Sequence, residues 1–173
     1  MELDRAKDLM IPVQEYPHIL YTAPLCEAIA VLERAQLDVD GKKSLPRTIL
    51  IFDEKKELVG CVRRRDLLRG ADPETLVSLM LPALALNKDA VRPEIPQEVL
   101  ERIRANLQRP VSDVMTPIKN SVDYRDDVIK MANKLVEANT SFLPVMKVHV
   151  VVGVVRTVEI LHEMFKVCNV KTA

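Results

Sequence analysis

The chain is poor in aromatic residues, with three Phe, three Tyr and no Trp among 173 residues. Its core must therefore be aliphatic, and it offers no obvious platform of rings for stacking nucleic-acid bases. Neither sign of charge is in excess: 25 basic residues meet 25 acidic ones. That balance argues against a general nucleic-acid binder. Only three cysteines occur, Cys26, Cys61 and Cys168. They are far apart, lack metal-ligand spacing, and in odd number make a poor disulfide framework. Each lies in an apolar pattern and is expected as a small core residue. No run approaches the roughly 18 apolar residues of a membrane helix, and the charged start Met1-Glu2-Leu3-Asp4-Arg5 does not look like a leader. These absences lead us to expect a soluble, cytoplasmic protein without membrane insertion. His18, His149 and His162 are scattered. No Ser-His-acid signature, phosphate loop or paired-His zinc motif occurs, so the chain is not expected to be an enzyme.

What the sequence does contain is a duplication. Leu58-Val59-Gly60-Cys61-Val62-Arg63-Arg64-Arg65-Asp66-Leu67-Leu68 runs from a strand into a short helix. Val151-Val152-Gly153-Val154-Val155-Arg156-Thr157-Val158-Glu159-Ile160-Leu161 repeats it nearly position for position. A duplicated unit constrains the fold more than a single motif does, and it places function between the copies.

Each copy reads β-α-β-β-α. In the second, Ser121–Tyr124 is a strand candidate and Asp126 or Asp127 caps a helix carrying Val128, Met131, Leu135 and Val136 at helical spacing. Phe142–Met146 and His149–Val155 follow as two strands turning at Lys147-Val148, apolar enough for burial on both faces. A last helix from about Thr157 to Lys166 is expected to turn Ile160, Leu161 and Met164 inward. In the first copy, Ala6–Met10 matches Val111–Met115, His18–Tyr21 matches Ser121–Tyr124, and Leu25, Ala28, Ile29, Val31 and Leu32 mark the helix. The strands are Thr48–Phe52 and Glu57–Val62. This copy alone carries an insertion, roughly Asp38–Pro46, expected as an exposed turn. Between the copies, Asp72-Pro73-Glu74 looks like a helix start, with Leu76, Leu79 and Met80 inward. Pro96–Leu107 is a second amphipathic helix with a mixed-charge face. Leu81–Leu86 is unusually apolar and suits a partner surface or packing on the core equally well.

Ser112-Asp113-Val114-Met115-Thr116-Pro117, then the capped helix, then Phe142-Leu143-Pro144-Val145, then Gly153–Glu159 is the ordered signature of a CBS domain. Lys7-Asp8-Leu9-Met10 and Gly60–Asp66 supply the first copy. The chain resembles a tandem CBS pair, or Bateman module, with repeats at 4–70 and 109–168 and a helical spacer at 71–108. The resemblance implies an α/β (α+β) fold in which the β-α-β-β-α repeats pack with pseudo-twofold symmetry and leave two clefts. It also implies a homodimer, a regulated partner protein that the sequence does not name, and no catalysis or required cofactor. Its regulatory ligands would be AMP, ADP, ATP or S-adenosylmethionine.

The family's nucleotide motif runs Gly, two apolar residues, Thr or Ser, two variable residues, then Asp. The acid takes the ribose hydroxyls, the hydroxyl and helix-start amides suit a phosphate, and apolar residues beside a Pro sandwich the base. Asp66 keeps the acid, whereas Glu159 is one methylene longer. Arg63 and Arg156 replace the hydroxyl residue. A guanidinium is a good phosphate fork, but each Arg is also placed to pair with its own acid, and each acid to cap its helix. Pro144 is kept, with Ser141 and Phe142 before it; Leu50 stands at the equivalent place in the first copy. Ser121 could bond a base, and its counterpart His18 is expected to be structural. Of the run Arg63-Arg64-Arg65, one is expected in a cleft and the others in solvent. The ligand set is thus Arg63, Asp66, Ser121, Ser141, Phe142, Pro144, Arg156 and Glu159. Two functions follow: a sensor of an adenine nucleotide, or a degenerate pair that dimerises or scaffolds a partner without binding nucleotide.

Overall fold

A computed structural model describes residues 3–39, 41–86 and 94–169, with the side chains of residues 42, 80, 82–86 and 169 excepted. The inward place expected of Met80 and the apolar surface expected over residues 82–86 lie outside the described side chains, as does Asp40 in the insertion.

The first copy contains α1 (Ala6–Leu9), β1 (Ile11–Pro12), β2 (His18–Leu20), α2 (Leu25–Arg34), β3 (Leu37–Val39), β4 (Lys42–Ser44), β5 (Thr48–Phe52), β6 (Leu58–Arg63) and α3 (Arg64–Gly70). The spacer forms α4 (Pro73–Leu86) and α5 (Gln97–Leu107). After a 3-10 turn at Val111–Asp113 come β7 (Thr116–Pro117), β8 (Val122–Asp123), α6 (Val128–Glu137), β9 (Phe142–Lys147), β10 (Val150–Arg156) and α7 (Thr157–Asn169). Asp127 is the α6 cap, its carboxylate accepting the Lys130 N–H at 2.9 Å. Asp126 instead accepts from the Asp123 amide and from Lys130 Nζ.

Side-chain alternation along the strands builds four layers. Ile49 and Ile51 of β5 point to α2 and α3, joining Leu25, Ala28, Leu32 and Leu67 in one core. Leu143, Val145 and Val155 meet Val128, Met131, Leu135 and Ile160 in the equivalent core under α6 and α7. The opposite faces of the sheets, represented by Leu50 and Cys61 on one side and Phe142 and Val154 on the other, pack together with Ile11, Tyr16 and Leu37.

The two sheets run β2-β5-β6-β7 and β1-β10-β9-β8. Each copy's leading strand therefore belongs to the other copy's sheet: Ile11 opposes Val154, and Thr116 opposes Cys61. The preceding segments cross over too, because Ala6 is buried in the second core and Val111 in the first. This exchange explains the two motif glycines. A Cβ on Gly153 would lie 2.7 Å from the Ile11 carbonyl oxygen and 2.8 Å from Met10 Sδ. On Gly60 it would lie 3.0 Å from the Thr116 carbonyl oxygen and 3.1 Å from Met115 Sδ. Only a residue without a side chain admits the crossing strand so closely.

Several sequence expectations are corrected. The insertion forms a hairpin, β3–β4, rather than a plain turn; Asp38, Gly41, Lys43 and Leu45 are exposed as expected, and Leu37 just before it is buried. The β9–β10 turn centres on Val148 and His149, both at positive φ (48° and 65°), instead of Lys147-Val148. On α7 the inward stripe is Glu159, Ile160 and Glu163, while Leu161 and Met164 are exposed. Glu163 is tolerated inside because it accepts the Asp4 N–H at 3.1 Å and pairs with Lys166. Cys61 is buried, Cys26 half-buried and Cys168 exposed near the end of α7. Asp72, at φ 58°, separates α3 from α4.

Candidate functional site

Two clefts lie between the copies, related by the pairing pattern. Each is bounded by the last residue of a central strand, Arg63 of β6 or Arg156 of β10, by the exchanged strand beside it, and by the connection that follows α6 or α2 in the opposite copy. That connection is short in one copy (residues 138–141 between α6 and β9) and long in the other (residues 35–47 between α2 and β5).

The cleft at Arg63 is open, with a volume of about 880 Å³. Thr116, Lys119 and Asn120 line one side, and Asn139, Ser141, Phe142 and Pro144 another. Phe142 and Pro144 are buried wall residues, and Phe142 belongs to the inter-sheet core. Ser141 is exposed; its carbonyl accepts both the N–H (2.9 Å) and the hydroxyl (3.1 Å) of Thr157, which fastens the start of α7 to the rim. Arg63 donates its backbone N–H (3.0 Å) and Nε (3.1 Å) to Asp66 Oδ2 and reaches Thr116 Oγ1 with Nη2 at 3.4 Å. Its side chain is still 41% exposed. Arg63 and Lys119 are the charged residues of this lining, and it includes no carboxylate. Asp66 is completely buried under Arg63, with Oδ1 lacking a hydrogen-bond donor and Arg69 Nη1 3.6 Å away. Arg64 and Arg65 are exposed, so the arginine run divides as expected.

At Arg156 the same strand end is closed. Arg156 donates Nε to both Glu159 oxygens (3.2 and 3.0 Å), Nη2 to Oε1, and its backbone N–H to Oε2 at 3.0 Å. The extra methylene of Glu159 thus permits a forked pair while the acid still caps α7. The remaining nitrogen, Nη1, donates to Ser44 Oγ of the β3–β4 hairpin at 2.9 Å. This leaves Arg156 only 11% exposed. A residual cavity of about 320 Å³ borders Asp38, Val39 and Ser44 of the hairpin, and its acids are Asp8, Glu15, Asp38 and Glu159.

The eight residues singled out in the sequence therefore divide. Arg63, Ser141, Phe142 and Pro144 share the open cleft, with Asp66 beneath it. Arg156 and Glu159 are in the other. Ser121 is outside both linings, and its carbonyl accepts Lys134 Nζ at 2.7 Å. His18 Nδ1 is 2.8 Å from the Tyr16 carbonyl oxygen, and its ring meets Phe52 edge-on. Lys119, Thr116 and Thr157 on the open side and Ser44 on the closed side were not singled out. Thr116 lies within the quoted motif; a lone Lys119 carries no sequence signal. Burial pushes the Tyr16 phenol up to about 12 despite nearby Arg156, and pushes the Cys61 thiol up to about 11 despite Arg63. Both sit in the dry layer between the sheets.

Among the described residues no group of three or more His, Cys, Asp or Glu is placed to hold a metal ion, and no helix is long and apolar enough to cross a membrane. No protein-family model and no curated protein matches the sequence. Solved structures do match. The CBS-pair protein CBSX2 from Arabidopsis thaliana is 18% identical with TM-score 0.63, covering 96% of this chain and 98% of its own. CBSX2 has also been solved in complex with AMP (TM-score 0.62). The CBS domain of a membrane protein from Sphaerobacter thermophilus is 20% identical with TM-score 0.65, covering 92% of this chain and 87% of its own. The cytosolic domain of the Mg2+ channel MgtE, in complex with ATP, is 21% identical with TM-score 0.59, covering 92% of this chain and 48% of that one.

Proposed function

Starting from a chain that has the fold of a tandem CBS pair, we propose that it is a regulatory module sensing an adenine nucleotide in the cleft at Arg63. The observation that carries this reading is the open cleft itself: about 880 Å³, with two cations and no carboxylate in its lining. The nucleotide's phosphates go to Arg63 and Lys119, hydroxyls at Ser141 and Thr116 supply neutral donors, and Phe142 and Pro144 form the apolar wall for the base. The complexes of structurally similar proteins with AMP and ATP support the ligand class.

Arg63 makes this cleft responsive. Empty, it is held by Asp66; a phosphate competes for the guanidinium and draws it toward the cleft. The start of α3 then loses part of its tie to β6. A ligand shifts a conformational equilibrium only by its difference in affinity for the two states, and the Arg63–Asp66 contact supplies such a difference.

The readout is a second protein surface. Ile129, Val136, Val158, Leu161 and Phe165 on α6 and α7 are exposed. We assign these residues to a homodimer interface, through which the cleft acts on a regulated partner. Sedimentation of Leu161→Glu checks the assignment: a monomer is expected.

Thermal unfolding with AMP, ADP, ATP and S-adenosylmethionine tests the nucleotide reading. Ligand at about 100 times its Kd adds roughly 2.7 kcal/mol, a rise on the order of 5–10 °C for this chain length. The rise should vanish in Arg63→Ala. No rise with any of the four leaves the scaffold function as the better reading.

A further inference from the structure

The two copies differ most at the connection that borders each cleft, and the difference is the β3–β4 hairpin. We infer that this hairpin is the resident occupant of the Arg156 cleft, a segment of the chain's own that takes the place of a ligand and leaves one nucleotide site per chain. The inference rests on the nucleotide reading for the site count, and on geometry alone for the occupancy.

Three contacts carry it. Leu37, at the base of the hairpin, is 3% exposed and packs with Ile11, Tyr16, Leu50 and Val154 between the sheets. Val39 packs against the same cluster. Ser44, paired directly opposite Leu37, accepts a hydrogen bond on its hydroxyl oxygen from Arg156 Nη1 at 2.9 Å, which is the bond a ligand oxygen would make. At the pseudo-equivalent place in the first cleft, Arg63 keeps an exposed guanidinium facing about 880 Å³ of space. The occupant is tethered by a few residues, so its effective concentration at the cleft is in the millimolar range or above. A free nucleotide must outcompete that.

With the hairpin in place the remaining cavity is a poor anion site: the hairpin itself adds Asp38 to Asp8, Glu15 and Glu159, and the one guanidinium of the lining is held by Glu159 and Ser44.

The test compares the full chain with a variant in which residues 38–45 are replaced by Gly-Ser, and with Leu37→Asp, which keeps the chain length and removes the apolar anchor. Calorimetric titration with ATP counts sites. Acetylation of Tyr16 by N-acetylimidazole at neutral pH, read by peptide mass spectrometry, reports whether the cleft is covered without needing any ligand. The full chain should take one ATP and keep Tyr16, 2% exposed, unmodified. The replacement variant should take two, lose the second on Arg156→Ala, and expose Tyr16 to acetylation. Leu37→Asp should also raise Tyr16 acetylation. Two equivalents in the full chain, or one in a replacement variant whose Tyr16 has become reactive, would overturn the inference. If no chain takes ATP, the nucleotide reading fails separately. Tyr16 then decides: reactive only without the hairpin, the occupancy stands; inert in every variant, it falls.

Discussion

Arg63 and Arg156 stand at the same place in two copies of one motif, each three residues before an acid that caps the following helix. One lines an open cleft with its side chain 41% exposed, and the other is enclosed by Glu159 and Ser44. Part of the cause lies within the motifs, since Glu159 is one methylene longer than Asp66 and grips Arg156 with both oxygens. The rest is remote in sequence: the connection after α6 is short, whereas the one after α2 carries a hairpin. A binding motif is therefore only half of a site; the other half is whatever the neighbouring copy places across from it.

The comparison breaks most strongly at the arginines. Arg156→Ala leaves Glu159 buried without its partner, and unfolding in urea should show a loss of about 3–4 kcal/mol. Arg63→Ala takes one side-chain donor from the fully buried Asp66, which keeps the backbone N–H of residue 63 and has Arg69 3.6 Å away, so the same experiment should show a smaller loss of about 1–2 kcal/mol while nucleotide binding disappears. Equal losses in the two variants would mean that the clefts are alike after all.

The next effect lies where the exchanged strands cross. Gly153→Ala drives a Cβ into the Ile11 carbonyl and Met10, and Gly60→Ala meets slightly looser contacts at Thr116 and Met115. Overpacking of this kind costs about 1–3 kcal/mol, with Gly153→Ala the costlier. Thermal unfolding of the pair ranks the two crossings.

Acid separates the copies more gently. Burial raises the Asp126 carboxyl, but hydrogen bonds from Lys130 and the Asp123 amide outweigh it and hold it below 3.8. Burial likewise raises Glu163, and Lys166 with the Asp4 amide outweighs it, holding it below 4.5. A carboxyl depressed in the folded state contributes stability above its unfolded pKa, and that stability is lost as pH falls through the folded pKa. The positions equivalent to Asp126 and Glu163 in the first copy are Ala23 and Gly70. Below about pH 4.5, amide NMR should therefore show the second copy loosening before the first. Simultaneous loss would show the shared layer between the sheets to be the weaker element. Alkali acts on that layer instead: the raised Tyr16 and Cys61 groups contribute stability that is lost as pH climbs from their ordinary values of 10.0 and 9.0 toward about 12 and 11.

The smallest expected change is in the β9–β10 turn, where Val148 and His149 occupy the left-handed region. A β-branched residue is strained there, and Asn-Gly is the favoured pair for a two-residue hairpin turn of this kind. Val148→Asn with His149→Gly should raise stability by about 1 kcal/mol, seen as a small rise in Tm with no change in ligand binding.

The repeat, its element order and the strand-end places of Arg63, Phe142 and Pro144 were legible because local patterns carry them; the ribose contact expected of Asp66 was not, since its carboxylate is completely buried beneath Arg63. Gly-apolar-apolar-Arg ends a strand, alternating Ile49, Leu50 and Ile51 serve two faces, and Asp127 caps a helix wherever it is met. Leu161 and Met164 misled because apolar residues at helical spacing do not say which stripe is inward when a buried Glu163 can be paired. Asp38–Pro46 was legible as an exposed stretch but not as a hairpin, because its polar, Gly-containing sequence carries no strand pattern to announce the β3–β4 pairing. The sharing of a cleft by Arg63 and Lys119 was invisible, since pairing across the copies has no local signature.

By itself, then, the sequence determined the two β-α-β-β-α units, their aliphatic cores and the chemistry available at each strand end, since propensity, periodicity and capping act within a few residues. Tertiary structure alone decided that the leading strands change places, that one arginine lines an open cleft, and that the other is bonded to Ser44 of the β3–β4 hairpin. Those outcomes depend on which surfaces meet, and burial and charge pairing are set between residues as distant as Ser44 and Arg156.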